Sequence, residues 1–231
     1  YANNMLVQTG DLFDRGFNSR EIIELFMHLN STSGDGQVIN MAGNHEFMQY
    51  QHGLSEMHWR YPQYQIKKDS MSFGETHNWD TNRNRNLLPG STYFEWIAHL
   101  PVVVYETKSK TVFSHGCIVE QWTDIQQINR DVRQAWREME QHNEKHGFYN
   151  LEKIMHDRQN DPVSPLNCVA NGYKPTMLSE VDGPVWNRYY NNAVKQHNTV
   201  QLSDQLQRTT ESFAAHGYIV DRLICAHTIT N

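Results

Sequence analysis

Asp11, Asp14 and Arg15 crowd into one short turn, "GDLFDRG", between an apolar run and an amphipathic one. Such a turn needs its glycines for backbone freedom, but it has no need of two carboxylates and a guanidinium. Three later turns carry side chains of similar usefulness: Asn44 and His45 in "GNHE", His115 in "HGC" and His227 in "AHT". A carboxylate, an amide oxygen and two imidazoles make a nitrogen and oxygen donor set suited to manganese, iron or zinc. Asp11 has two oxygens and is able to bridge a second ion.

These residues act together only if the chain brings their turns to one place. Residues 5–9 read as a short buried strand, and residues 18–29 as a helix. Asn18 and Glu21 there resemble a capping box, and Ile22, Ile23, Phe26 and Leu29 fall on one face. "QVINMA" reads as a second strand, so strand, helix and strand form a parallel βαβ unit whose turns lie at the carboxyl ends of strands, where open α/β sheets place ligands. "STYFEWIAHL" reads as a helix stopped by Pro101. "VVVYE" and "TVFS" form a hairpin through "TKSK", with "HGC" at its exit. Ile125, Ile128, Val132, Trp136 and Met139 recur at helical spacing on a long charged helix that packs on a sheet or forms a cap. "YIVDRLICAHT" supplies a last apolar strand ending at His227, while residues 50–92 and 157–184 read as loop-rich. The class is therefore α/β, and Asp11, Asn44, His115 and His227 all leave strands at one rim.

Bulk properties exclude several roles. The chain has 231 residues, 38% of them hydrophobic, enough for one sizeable core. A formal charge of −6 argues against a general nucleic-acid binder, whose affinity would rest on lysines and arginines facing phosphates. No apolar run approaches membrane-spanning length. Cys117, Cys168 and Cys225 are odd in number and widely spaced, which indicates neither a disulfide framework nor a thiolate zinc site and favours a reducing compartment such as the cytoplasm.

"GDLFDRG", "GNHE", "HGC" and "AHT" resemble, in that order, motifs of the phosphoprotein-phosphatase branch of calcineurin-like metallophosphoesterases. "LPGSTYFEWIAHLPVVVYETKSKTVFSHG" and "DGPVWNRYY" look like the Shewanella-like protein phosphatase subgroup. The resemblance implies a β-sandwich with flanking helices in four layers, α/β/β/α, and one catalytic domain over residues 1–231. It implies two divalent ions, manganese, iron or zinc, with Asp11 bridging them and Asn44, His115 and His227 completing the second ion's shell. A hydroxide activated by both metals would attack phosphorus, and His45, oriented by Asp14, would protonate the leaving oxygen. Arg15 would grip phosphate oxygens, with Arg188 as a second clamp and Asn44 near the bound phosphate.

Two departures from the family pattern carry expectations of their own. The family's first metal also takes an Asp-x-His turn from an earlier strand, and none precedes Asp11, so the chain is expected to be the interior of a longer protein, lacking that strand and the C-terminal strands. Cys117 stands where the family has a second glycine; cysteine tolerates positive φ poorly, so the local turn is expected to differ. The expected substrate is a phosphoprotein bearing phosphoserine, phosphothreonine or phosphotyrosine, with no nucleic acid or membrane partner. The motifs leave open a small-molecule hydrolase acting on diadenosine polyphosphates or nucleotides, and a non-catalytic metal- or phosphate-binding module.

Overall fold

The computed structural model describes residues 4–13, 19–51, 89–146 and 183–227. The chain divides into two compact units, residues 1–100 with 133–157 and residues 101–132 with 158–231. Helices and sheets occur in both, as an α/β chain requires.

Unit one is built on the expected βαβ. Strand β1 (Leu6–Gln8) pairs in parallel with β2 (Val38–Asn40), Leu6 opposite Val38 and Gln8 opposite Asn40. Helix α1 (Ser19–Thr32) connects them. Its Ile23 is fully buried, but Ile22 is 40% exposed, so the apolar face is narrower than the sequence suggests. Consecutive helical residues diverge by about 100°, and one contact stripe cannot hold both. Asn18, the expected cap, lies outside the described residues. Helix α2 (Asn44–Gln51) starts inside "GNHE". Helix α3 (Thr92–Ala98) is capped by Ser91, whose side chain accepts the Phe94 N–H at 3.2 Å. The core of this unit gathers around Trp136. Phe47 stacks on its ring at 5.6 Å, and Phe94 meets it edge-on at 5.7 Å.

Helix α4 (Ile125–His146) begins in unit two and continues into unit one. All five residues of its expected apolar face, Ile125, Ile128, Val132, Trp136 and Met139, are buried. The 3.6-residue period is a sound guide here because the rest of the helix is mostly polar or charged and leaves one way to bury it.

Unit two holds a three-stranded sheet in the order β3-β4-β5. β3 (Val103–Glu106) and β4 (Thr111–Ser114) form the expected antiparallel hairpin. β5 (Arg222–Cys225) runs parallel to β4, with Ser114 opposite Cys225, and ends two residues before His227. Asn129 of α4 occupies backbone groups of the β3 segment, accepting the Val102 N–H at 2.9 Å and donating to the Val103 carbonyl at 2.7 Å. Two helices complete the unit, α5 (Tyr189–Lys195) and α6 (Thr199–Ala215). Among the described residues no helix is long and apolar enough to cross a membrane.

Candidate metal centre

In unit one the glycine-aspartate turn leaves β1 through two consecutive left-handed residues, Gly10 (φ 94°) and Asp11 (φ 61°). Glycine adopts this conformation freely, whereas an aspartate there needs support. Glu46 supplies it. This fully buried carboxylate accepts the Asp11 N–H at 2.9 Å and the Gly43 N–H at 2.6 Å on one oxygen. Its other oxygen accepts the Leu12 N–H at 2.7 Å and the Phe13 N–H at 3.4 Å. Glu46 lies in the first turn of α2, where a carboxylate also opposes the positive end of the helix dipole and reaches back to the capping N–H. One side chain thus binds the first motif turn to the second.

That bond brings Asp11 and His45 together. The Asp11 carboxylate accepts the His45 backbone N–H at 3.2 Å, and its other oxygen lies 3.8 Å from His45 Nε2. The second distance is too long for a hydrogen bond but short enough for charge attraction when the imidazole is protonated. Asn44, first residue of α2, is buried beside them in sequence. Asp14 and Arg15 lie outside the described residues. The motif "GNHE" by itself gives Glu46 no role; a glutamate at the third helical position, as in a capping box, is the signal that finds it.

Unit two brings His115 and His227 together. His115 immediately follows β4 and His227 follows β5, and because these strands are parallel neighbours both leave at the same end of the sheet. The ladder extends beyond the strands, the Ala226 N–H reaching the His115 carbonyl at 2.9 Å. His115 Nε2 and His227 Nδ1 are 3.0 Å apart, with rings inclined at 68°. That spacing is a hydrogen bond between the two rings, and it also leaves both nitrogens close enough to serve one cation as ligands. His227, like Asp11, is left-handed at φ 62°. Non-glycine residues in this region concentrate at functional sites.

The "GPVWNRYY" segment lies against these histidine turns. Pro184 carbonyl accepts the Gly116 N–H at 2.7 Å, Asn187 carbonyl accepts the Cys117 N–H at 2.8 Å, and the Trp186 ring meets His227 edge-on at 5.6 Å. Arg188, the expected second clamp, is exposed at the start of α5. Neither Gly116 nor Cys117 is left-handed, so cysteine stands after Gly116 without backbone strain. What Gly116 supplies is closeness: a Cβ there would sit 2.7 Å from the Pro184 carbonyl oxygen. The Cys117 thiol is drawn down to about 7, first by a hydrogen bond from Cys225 and also by backbone N–H groups and the Arg188 charge, against burial. Cys225, giving that bond and partly buried, is pushed up.

A family model described as calcineurin-like phosphoesterase matches residues 1–230. An uncharacterized protein of Schizosaccharomyces pombe is 39% identical over 62 residues, which are 26% of this chain and 17% of that protein. The chain thus matches less than a fifth of that relative's length.

Proposed function

The chain belongs to the calcineurin-like phosphoesterase family, and we propose that within this family it is a protein phosphatase, hydrolysing phosphoserine, phosphothreonine or phosphotyrosine esters. The family makes it a metal-dependent phosphoesterase. The finer reading, toward a phosphoprotein and toward the Shewanella-like subgroup, rests mainly on the segment Gly183 to Tyr190. Its resemblance to that subgroup concerns residues that hydrogen-bond to the "HGC" turn and pack on His227, so the likeness falls beside the chemistry and not on a remote surface.

In this reading, which rests on the family's motifs, Asp11, Asn44, His115 and His227 would be metal ligands. The donors are nitrogen and oxygen, which suits manganese, iron or zinc. When bound, the ions supply Lewis acidity that activates water and neutralises phosphoryl charge. The chain's own residues do the rest. Arg15 and Arg188 orient the phosphate through charge-assisted hydrogen bonds. His45, buried beside the Asp11 carboxylate, delivers a proton to the leaving oxygen of serine, threonine or tyrosine. Asp14 fixes the ring that carries that proton.

Phosphate release by the full-length protein in manganese tests this, with matched phosphoserine, phosphothreonine and phosphotyrosine peptides beside diadenosine tetraphosphate. Peptide hydrolysis is expected, falling about 100-fold or more in His45→Ala while bound metal stays near wild type, as removal of a general acid requires. Hydrolysis of the dinucleotide alone would overturn the protein-phosphatase reading. Equal loss of metal and turnover in His45→Ala would overturn the proton-donor role.

A further inference from the structure

Cys117 and Cys225, separated by 108 positions in the chain, have their sulfurs 3.7 Å apart. Both are free thiols, Cys117 fully buried and Cys225 partly open. Each stands two residues from a histidine of the close pair, in the mirrored arrangements His115-Gly116-Cys117 and Cys225-Ala226-His227. The backbone around both is held: Cys117 N–H by the Asn187 carbonyl, Ala226 N–H by the His115 carbonyl, and Cys225 itself within the β4-β5 ladder.

We propose that Cys117 and Cys225 are a reversible dithiol switch whose disulfide disturbs the His115–His227 pair. The sulfurs are already at van der Waals contact, and a disulfide of about 2.05 Å needs them to close by roughly 1.7 Å. Side-chain rotation supplies part of that movement. The remainder falls on two short backbone segments, and each carries one of the histidines. A shift of either ring changes the 3.0 Å nitrogen spacing that two imidazoles on one cation must keep.

The chemistry balances with a peroxide as oxidant. One thiol, as thiolate, attacks hydrogen peroxide to give a sulfenic acid and one water; the second displaces a second water from that sulfur and forms the S–S bond. Two thiols lose two electrons and two protons, and the peroxide gains them. A small dithiol reverses the step by thiol–disulfide exchange through a mixed disulfide, becoming oxidised itself. Cys225, the less buried of the two residues, gives both reagents their way in.

Titration of the full-length, manganese-loaded protein with hydrogen peroxide, followed by alkylation, peptide mapping and metal analysis, tests the proposal. The expected product is about 2 Da lighter, carries a Cys117–Cys225 cross-link, and retains several-fold less metal. Dithiothreitol should restore both thiols and the metal. Cys168→Ser should behave as wild type, whereas Cys225→Ser should neither cross-link nor lose metal at the same peroxide dose. Circular dichroism checks that each variant is folded, and Cys117→Ala serves in place of Cys225→Ser should the latter fail that check. Oxidation without this cross-link, a cross-link through Cys168, or a cross-link with metal content unchanged would each overturn the switch. None of these readouts uses a phosphorylated substrate, so failure here is separable from failure of the phosphatase reading.

Discussion

Glu46 does at one position what no short motif states. Its two oxygens take the N–H groups of Asp11, Leu12, Phe13 and Gly43, and so hold an aspartate in a conformation it does not prefer. Glu46→Gln replaces one of these acceptors by an N–H donor facing donors. Loss of such buried bonds costs about 1–3 kcal/mol, and melting should fall by several degrees, with weaker manganese binding because the Asp11 turn is released. A variant with wild-type melting and metal content would refute this support. The candidate residues themselves were legible: Asp11, His45, His115 and His227 stand out as chemistry-bearing types in small turns after apolar runs. The role of Glu46 was not, because its partners lie up to 35 positions away.

Strands and helices with strong apolar patterns were legible as elements. β1, β2, the β3-β4 hairpin and α4 fall where alternation or helical spacing put them. α5 and α6 escaped notice, and α6 shows why. Its buried positions include Gln205 and Thr209 beside Phe213, so the face that packs is largely polar and gives no hydrophobic period. What it buries is a hydrogen-bonded network: Gln205 bonds to Glu120, and Thr209 lies 3.0 Å from the Tyr190 hydroxyl, which also donates to the Ile118 carbonyl at 2.7 Å. Such networks satisfy their members only in the assembled fold. At the same scale Gly116 is a sharp test. In Gly116→Ala the new methyl meets three backbone atoms, of Pro184, Trp186 and Asn187, all at under 3.0 Å. Backbone cannot step aside as a flexible side chain does, so the strain should cost about 1–3 kcal/mol, visible as a lower denaturation midpoint at unchanged slope. Wild-type stability would show that the "GPVWNRYY" segment does not depend on this close approach.

For the molecule as a whole, the family assignment makes folding and metal binding one linked equilibrium. An ion that binds only the folded chain stabilises it by about 2.7 kcal/mol at one hundred times its dissociation constant. For a protein of this size that is a melting shift of roughly 5–10 °C. Chelation of the full-length protein should therefore lower melting and abolish phosphate release together, and manganese should restore both. Unchanged melting after complete metal removal would mean that the ions contribute nothing to folding.

The sequence by itself determined the family, the α/β class and the residue types available for catalysis, because motif order and apolar periodicity are local properties written along the chain. Tertiary structure alone decided that one buried glutamate holds two motif turns together, that a polar helix belongs to the core, and that two cysteines 108 positions apart touch beside a pair of histidines. Each of these is a meeting of distant segments. The register of parallel strands and the closeness of backbone to backbone set such meetings, and neither quantity is carried by any single stretch of residues.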